Sequence, residues 1–164
     1  MIKESKIILR AMQPVDRPAV ETLSVSQDQL AFVEPTAIAL EANRDAWTDH
    51  VVEVDGRIVG FFQIDARESG PRLPHHIEIH EVNIDAAVQG KGYGKALFRA
   101  LPAYLRDAFP AATAACLTVN CRNPRAYSVY LAGGFVDTGA LYEGGRSGPQ
   151  HIMTLALRVA SNVK

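Results

Sequence analysis

Cysteine, methionine and tryptophan are scarce: the 164-residue chain holds two, three and one of them. Cys116 and Cys121 lie five residues apart in a stretch that reads as extended. At ~3.3 Å per residue their α-carbons would be roughly 16 Å apart, beyond bridging distance, so no internal disulfide is expected. Neither a Cys-x-x-Cys nor a His-Glu-x-x-His spacing occurs, and no metal is expected. Long apolar runs are missing too. None approaches the ~20 residues that span a bilayer, and Met1-Ile2-Lys3-Glu4-Ser5 lacks the basic-then-apolar order of a signal peptide. These lacks argue against a membrane partner and for a cytoplasmic setting. No basic-aromatic motif stands out, which leaves nucleic-acid binding without support.

What is present fits one domain over residues 1–164, with 48% hydrophobic and 21% charged residues, enough for a single substantial core. The net charge of −1 conceals a division. Residues 1–85 carry 8 Lys and Arg against 15 Asp and Glu, a balance of −7, whereas residues 86–164 carry 9 against 3, a balance of +6. A basic half suits an anionic cofactor and an acidic half suits a cationic co-substrate such as an amine.

The apolar pattern predicts a first strand at Ile7 to Arg10, then helical stretches at about 14–23, 27–33 and 36–47. Strands at 50–54 and 57–64 flank the hairpin signal Asp55-Gly56. A loop over 68–74 leads to a fourth strand at about 76–85. A glycine-rich turn and a helix to about Pro110 follow, with a bend expected at Pro102 inside that helix. A fifth strand at 113–120, a helix opened by Asn123-Pro124 and closed by Gly133-Gly134, and strands at 135–142 and 151–157 complete the order. That order is α/β with a mixed central sheet of about seven strands and flanking helices.

The turn Gln89-Gly90-Lys91-Gly92-Tyr93-Gly94-Lys95 stands between a strand and a helix, where bare backbone N–H groups at the positive helix end hold phosphate. Lys91 and Lys95 add charge. It is not a P-loop, because Ala96 follows Gly94-Lys95 where a Ser or Thr is required. Nor is it the dinucleotide fingerprint, since Lys95 or Leu97 takes the place of the third glycine. The remaining pattern, Gln89-x-x-Gly92-x-Gly94, resembles the acetyl-CoA pyrophosphate loop of the GNAT family of N-acetyltransferases. A second family motif, Asn123-x-x-Ala126-x-x-x-Tyr130 with Gly134-Phe135, follows at the expected distance.

The resemblance covers nearly the whole chain and implies a GNAT-like fold with a splayed fourth and fifth strand pair. Acetyl-CoA would be the co-substrate, and transfer to the amine would be direct, within a ternary complex. It places Val82 and Ile84 beside the pantetheine arm, although Ala86 stands where the family often has proline. The cofactor residues it implies are Val82, Ile84, Gln89, Gly90, Lys91, Gly92, Tyr93, Gly94, Lys95, Asn123 and Tyr130. Tyr130 is implied as the proton donor to the departing thiolate and the Val82 amide as the group that polarises the thioester carbonyl.

Acetylating an amine also needs the amine neutral, which at pH 7 costs about 4.6 kcal/mol for a pKa of ~10.4. On a regular strand Glu78 and His80 share a face with Val82 and Ile84, which makes them the candidate bases. Glu81 points the other way unless a bulge inverts the alternation. The segments Gln27 to Glu34 and Ala39 to Ala42 resemble the N-terminal helices of bacterial spermine/spermidine-type acetyltransferases, chiefly through Gln29, Phe32, Val33, Leu40, Glu41 and Ala42. That likeness implies a cleft in which Glu34 and Glu41 pair with a polyamine or diamine, though relatives commonly carry another residue at position 34. Amino acids, aminoglycoside-like antibiotics or protein amino groups are the alternative acceptors, and a non-catalytic acyl-CoA sensor is the alternative outside enzymes. Dimers are frequent in the family, so a homodimer is a further expectation.

Overall fold

Seven alternating segments pair into one sheet. The computed structural model describes residues 5–42, 44–67, 73 and 75–158. Its strands are β1 (Ile7–Ala11), β2 (Trp47–Val54), β3 (Arg57–Asp65), β4 (Ile77–Ile84), β5 (Ala114–Asn120), β6 (Val136–Tyr142) and β7 (Gln150–Ala156). They stand in the order β1-β2-β3-β4-β5-β7-β6. Asp55 and Gly56, with φ of 48° and 83°, turn the β2–β3 hairpin as a primed turn requires. Apart from Leu73, the loop expected over 68–74 lies outside the described residues.

All neighbouring strands run antiparallel except β4 and β5. That parallel pair is brief. Only Ile77–Ala115 and Glu78–Cys116 are in register, so beyond residue 78 the two strands part and leave a gap in the sheet. The expected splay is present, and every cavity described below opens from it.

The main core lies on the sheet face covered by α3 (Tyr93–Ala108). Leu97, Leu101 and Leu105 repeat every four residues and are buried with Phe98. At ~1.5–3 kcal/mol per fully buried large side chain, this stripe outweighs the cost of ~3 kcal/mol for Pro102, and the helix passes through it without interruption. On the opposite face α1 (Arg17–Glu21) and α2 (Thr36–Glu41) cover a smaller cluster of Val20, Leu23, Ala39, Val51 and Phe61. The last helix, α4 (Pro124–Ala132), approaches α3 so closely that a Cβ at Gly133 would lie 2.8 Å from the Phe98 Cβ.

Three helical expectations are corrected. Residues 14–23 divide into a 3-10 turn at Pro14–Asp16 and the short α1, because Asp16 takes the Gln13 N–H at 2.7 Å and holds the turn tight. Residues 27–33 are successive turns rather than a helix, with Gln29 N–H bonded to Ser26 O and Phe32 N–H to Gln29 O. The helix expected to reach residue 47 ends at Glu41. Trp47 pairs with Asp65 as the first residue of β2 and stacks on His80 at 3.9 Å, a tertiary contact that overrides the local helical pattern.

Candidate active site

The glycine-rich segment forms a loop closed from both sides. Asp85 accepts the Ala87 N–H at 3.3 Å and starts the 3-10 turn Ala86–Val88, and Gln89 Nε2 donates to Ile84 O at 3.0 Å. Gly90 and Gly92 have φ of 84° and 83°, and Gly92 is the residue from which α3 springs. Side chains avoid that conformation at a cost of about 1–2 kcal/mol. A Cβ at Gly90, Gly92 or Gly94 would meet no heavy atom within 4 Å, so all three backbones face open space. This is a cradle in which main-chain N–H groups at a helix N-terminus approach an anion directly.

Opposite this loop stands α4. Asn123 caps it, accepting the Ala126 N–H at 3.4 Å, with Pro124 at the first helical position. Its Nδ2 also donates to Gln29 Oε1 at 3.3 Å, which ties α4 to the N-terminal turns. Between loop and helix lies a cleft of about 790 Å³ lined by Val82, Ile84, Gln89, Gly90, Gly92, Tyr93, Gly94, Lys95, Asn123 and Tyr130 among others. Ten of the eleven expected cofactor residues are brought together there. Lys91 is exposed and outside the lining, whereas Arg125 lines it.

A second cavity of about 350 Å³ occupies the other side of the gap, between the Ile79–Val82 stretch of β4, residues 117–120 of β5, the turns at 29–34 and the β6–β7 loop. The two cavities share Gln29, Val33, Val82, Asn123 and Tyr130, so they meet at the point where β4 and β5 part.

Strand β4 does not alternate regularly. His80 pairs with Gln63 and Asn83 with Phe61, so the register skips Phe62 on one side and Glu81 and Val82 on the other. Glu81 sits at φ 52°, the signature of a bulge. Glu78 and His80 therefore share a face with Asn83, not with Val82 and Ile84, which corrects the expectation drawn from a regular strand. Glu78 is buried behind the cavity, 3.1 Å from His80 Nε2. His80 reaches the cavity wall, stacked on Trp47.

Glu81, set aside on the alternation, lines the second cavity and was missed. The single signal in the sequence was the proviso that a bulge inverts a strand's faces. Its carboxylate accepts the Glu34 N–H at 3.0 Å. Burial, together with the Glu34 charge, pushes its pKa above the ordinary value, against the pull of that hydrogen bond, Arg44 and His80. Glu34 also lines the cavity, and Arg44 stands 3.6 Å from its carboxylate while lying over the Trp47 ring at 4.4 Å. Glu41 is exposed at the end of α2 and lines neither cavity.

Tyr130 occupies the junction. Its ring packs on Phe98 at 4.5 Å, and burial pushes its hydroxyl up to about 12, so it holds its proton throughout the physiological range. Beside it the bulge takes Val82, which lines both cavities, out of the β3–β4 register. Exposed Cys121 lies outside both cavities. Among the described residues no group of three or more His, Cys, Asp or Glu is placed to hold a metal ion, and no helix is long and apolar enough to cross a membrane.

The fold and sequence can be set beside known proteins. An uncharacterized N-acetyltransferase of Bacillus subtilis, YbbJ, is 28% identical over 140 residues, covering 81% of this chain and 87% of that protein. The spermine/spermidine N(1)-acetyltransferase of the same organism is 27% identical over 139 residues, covering 82% and 91%. Among solved structures, the aminoglycoside acetyltransferase AAC(6')-Ib in complex with coenzyme A superposes with a TM-score of 0.71 at 24% identity, covering 92% of this chain and 95% of that one. The model of the acetyltransferase (GNAT) family matches residues 16–135, across the glycine loop, the β4 bulge and the Tyr130 helix, and the chain belongs to that family.

Proposed function

We propose that this protein transfers an acetyl group from acetyl-CoA to a primary amine on a small molecule, in the cytoplasm and by direct attack. The observation that carries the reading is the meeting of the two cavities at Val82 and Tyr130, with a phosphate cradle at the end of one and two carboxylates in the other. The open faces of Gly90, Gly92 and Gly94 fit a pyrophosphate, and Lys95 and Arg125 supply countercharge. Acetyl-CoA supplies the activated acyl group.

The chain's own residues supply the rest. The Val82 amide, at the bulge, is the donor to the carbonyl oxygen that gains charge during transfer. Glu81 is the base that faces the amine. Its raised pKa makes it a better acceptor than an exposed glutamate, and while ionised it attracts the ammonium. His80 lies on the same wall as the second candidate, and buried Glu78 acts only through it. Tyr130 donates a hydrogen bond to the leaving sulfur.

The relatives make spermine and spermidine the first acceptors to try, with diamines beside them, and AAC(6')-Ib adds aminoglycosides. The test is thiol release from acetyl-CoA across such a panel. Turnover with at least one amine is expected. Tight CoA binding with no turnover on any amine would sink the enzyme reading in favour of an acyl-CoA sensor.

A further inference from the structure

The second cavity does not carry the negative excess that a polycation wants. Its lining holds the carboxylates of Glu34 and Glu81, but Arg44 already stands 3.6 Å from Glu34, and Arg146 also lines it. Counting these four groups, the formal charge is zero. A cleft built for several ammonium groups would leave its carboxylates unspent.

Arg146 is held in place by its loop. The next residue, Ser147, donates its hydroxyl to Ala31 O. Its own carbonyl accepts from Asn120 Nδ2 at 2.9 Å and Arg122 Nη2 at 2.6 Å, while Cys121 N–H donates to Pro149 O at 3.1 Å. These bonds fasten the β6–β7 loop to both the end of β5 and the N-terminal turns, across the mouth of the cavity. Arg10, Arg17, Arg44 and Arg67 each face a carboxylate. Among the described residues Arg146 has no ion-pair partner, although Glu34 and Glu81 line the same cavity. Arg146 is exposed on a loop whose backbone is pinned, and a guanidinium there presents a fork that matches a planar anion.

We propose that the acceptor is a small amine that also carries an anionic group, foremost a carboxylate, with Arg146 binding the anion while the amine lies against Glu81. This rests on the reading of the cavity as the acceptor site, and it narrows that site from amines in general to zwitterions.

The test compares acceptors that differ only at the far end, in chains of two to six carbons: ω-amino acids, n-alkylamines and α,ω-diamines. The expected result is a kcat/KM for the best amino acid about tenfold or more above the alkylamine and diamine of equal length. Arg146→Gln should bring the ratio of amino acid to alkylamine to about one, and Arg146→Lys should restore part of it. Aminoalkyl phosphates form a further arm. If they surpass the amino acids and depend equally on Arg146, the anion is a phosphate and the subsite stands. A preference for the diamine, or a ratio unchanged in Arg146→Gln, overturns the proposal while leaving acetyl transfer intact. Thiol release with none of these amines, nor with any polyamine, defeats the acetyltransfer reading beneath it instead.

Discussion

Replacing Tyr130 by phenylalanine isolates one hydroxyl, because the ring that packs on Phe98 at 4.5 Å is kept. Burial holds that hydroxyl at about 12. Handing its proton fully to a thiolate of pKa ~8.5 is then uphill by roughly 3.5 units, or about 4.8 kcal/mol at ~1.36 kcal/mol per unit. A hydrogen bond to the developing negative sulfur carries no such penalty and contributes about 1.5–3 kcal/mol. The expected loss in kcat for Tyr130→Phe is therefore about 10- to 150-fold, from ~1.4 kcal/mol per tenfold, with the Kd for CoA little changed. Steady-state kinetics and calorimetric titration with CoA measure the two. The pH profile gives an independent readout. A group that titrates near 12 stays protonated below about pH 10, so wild type and variant should share the same profile there. An unchanged kcat would remove Tyr130 from the reaction. A descending limb at pH 8–10 in the wild type that vanishes in the variant would refute the hydrogen-bond argument and restore full proton transfer.

The other predictions concern the remaining parts of the site and the frame around it. Glu81→Gln should lower kcat by about 10²-fold or more, within the range typical of a lost general base, and abolish the ascending acid limb, whereas Glu78→Gln should act weakly; the reverse order would return the base to the expected strand face. Gly92→Ala should lose about 1–2 kcal/mol of stability in denaturant unfolding from its left-handed φ and should weaken CoA binding. Gly94→Ala should weaken CoA without loss of stability, since the residue lies within α3 and no strain is imposed there; undiminished CoA affinity in both would discard the cradle. Glu34→Gln should raise the acceptor KM and Glu41→Gln should not, because only the first lines the cavity. Asp16, hydrogen-bonded by Arg10 and by the Gln13 N–H, is lowered from 3.8 to about 2. Its stabilisation is thus present above about pH 4 and lost as the pH falls through 2. Discounted for the partial exposure of Arg10, it is about 1–2 kcal/mol, which Asp16→Asn should remove at pH 7 and not at pH 2 in chemical denaturation.

The donor half of the site was legible because its signals are local. Glycines that need positive φ, an asparagine followed by proline, and a tyrosine two helical turns beyond it announce a loop and a helix wherever they stand. The strands were legible for the same reason, through alternation and the Asp55-Gly56 turn. What failed depends on residues far away in the chain. The helix expected to reach residue 47 stops because Trp47 is needed against His80, 33 positions further on. The turns at 27–33 are fixed by Asn123 and Ser147, which reach back to Gln29 and Ala31. No window of sequence contains both partners.

The bulge at Glu81 is the most consequential of these effects, since one unpaired step in β4 decides which of its residues line the cavities. It brings Glu81 to the second cavity and takes Val82 out of the ladder, so the proposed base and the proposed amide donor arise from the same departure from regularity. Charge counting along the chain bears on the cavity only through the acids that reach it. The balance of −7 over residues 1–85 suggested an acidic acceptor site. Five of those acids stand at ion-pair distance from four arginines that the balance already includes: Arg10 takes Asp16 and Glu53, Arg17 takes Glu21, Arg44 takes Glu34 and Arg67 takes Asp65. Among the acids that face the cavity, Glu81 alone is held without an arginine at ion-pair distance among the described residues, and its pKa is raised. On the proposed reading of this cavity as the acceptor site, specificity depends on which of its charges are left without an ion-pair partner, and among the described lining residues those are Glu81 and Arg146.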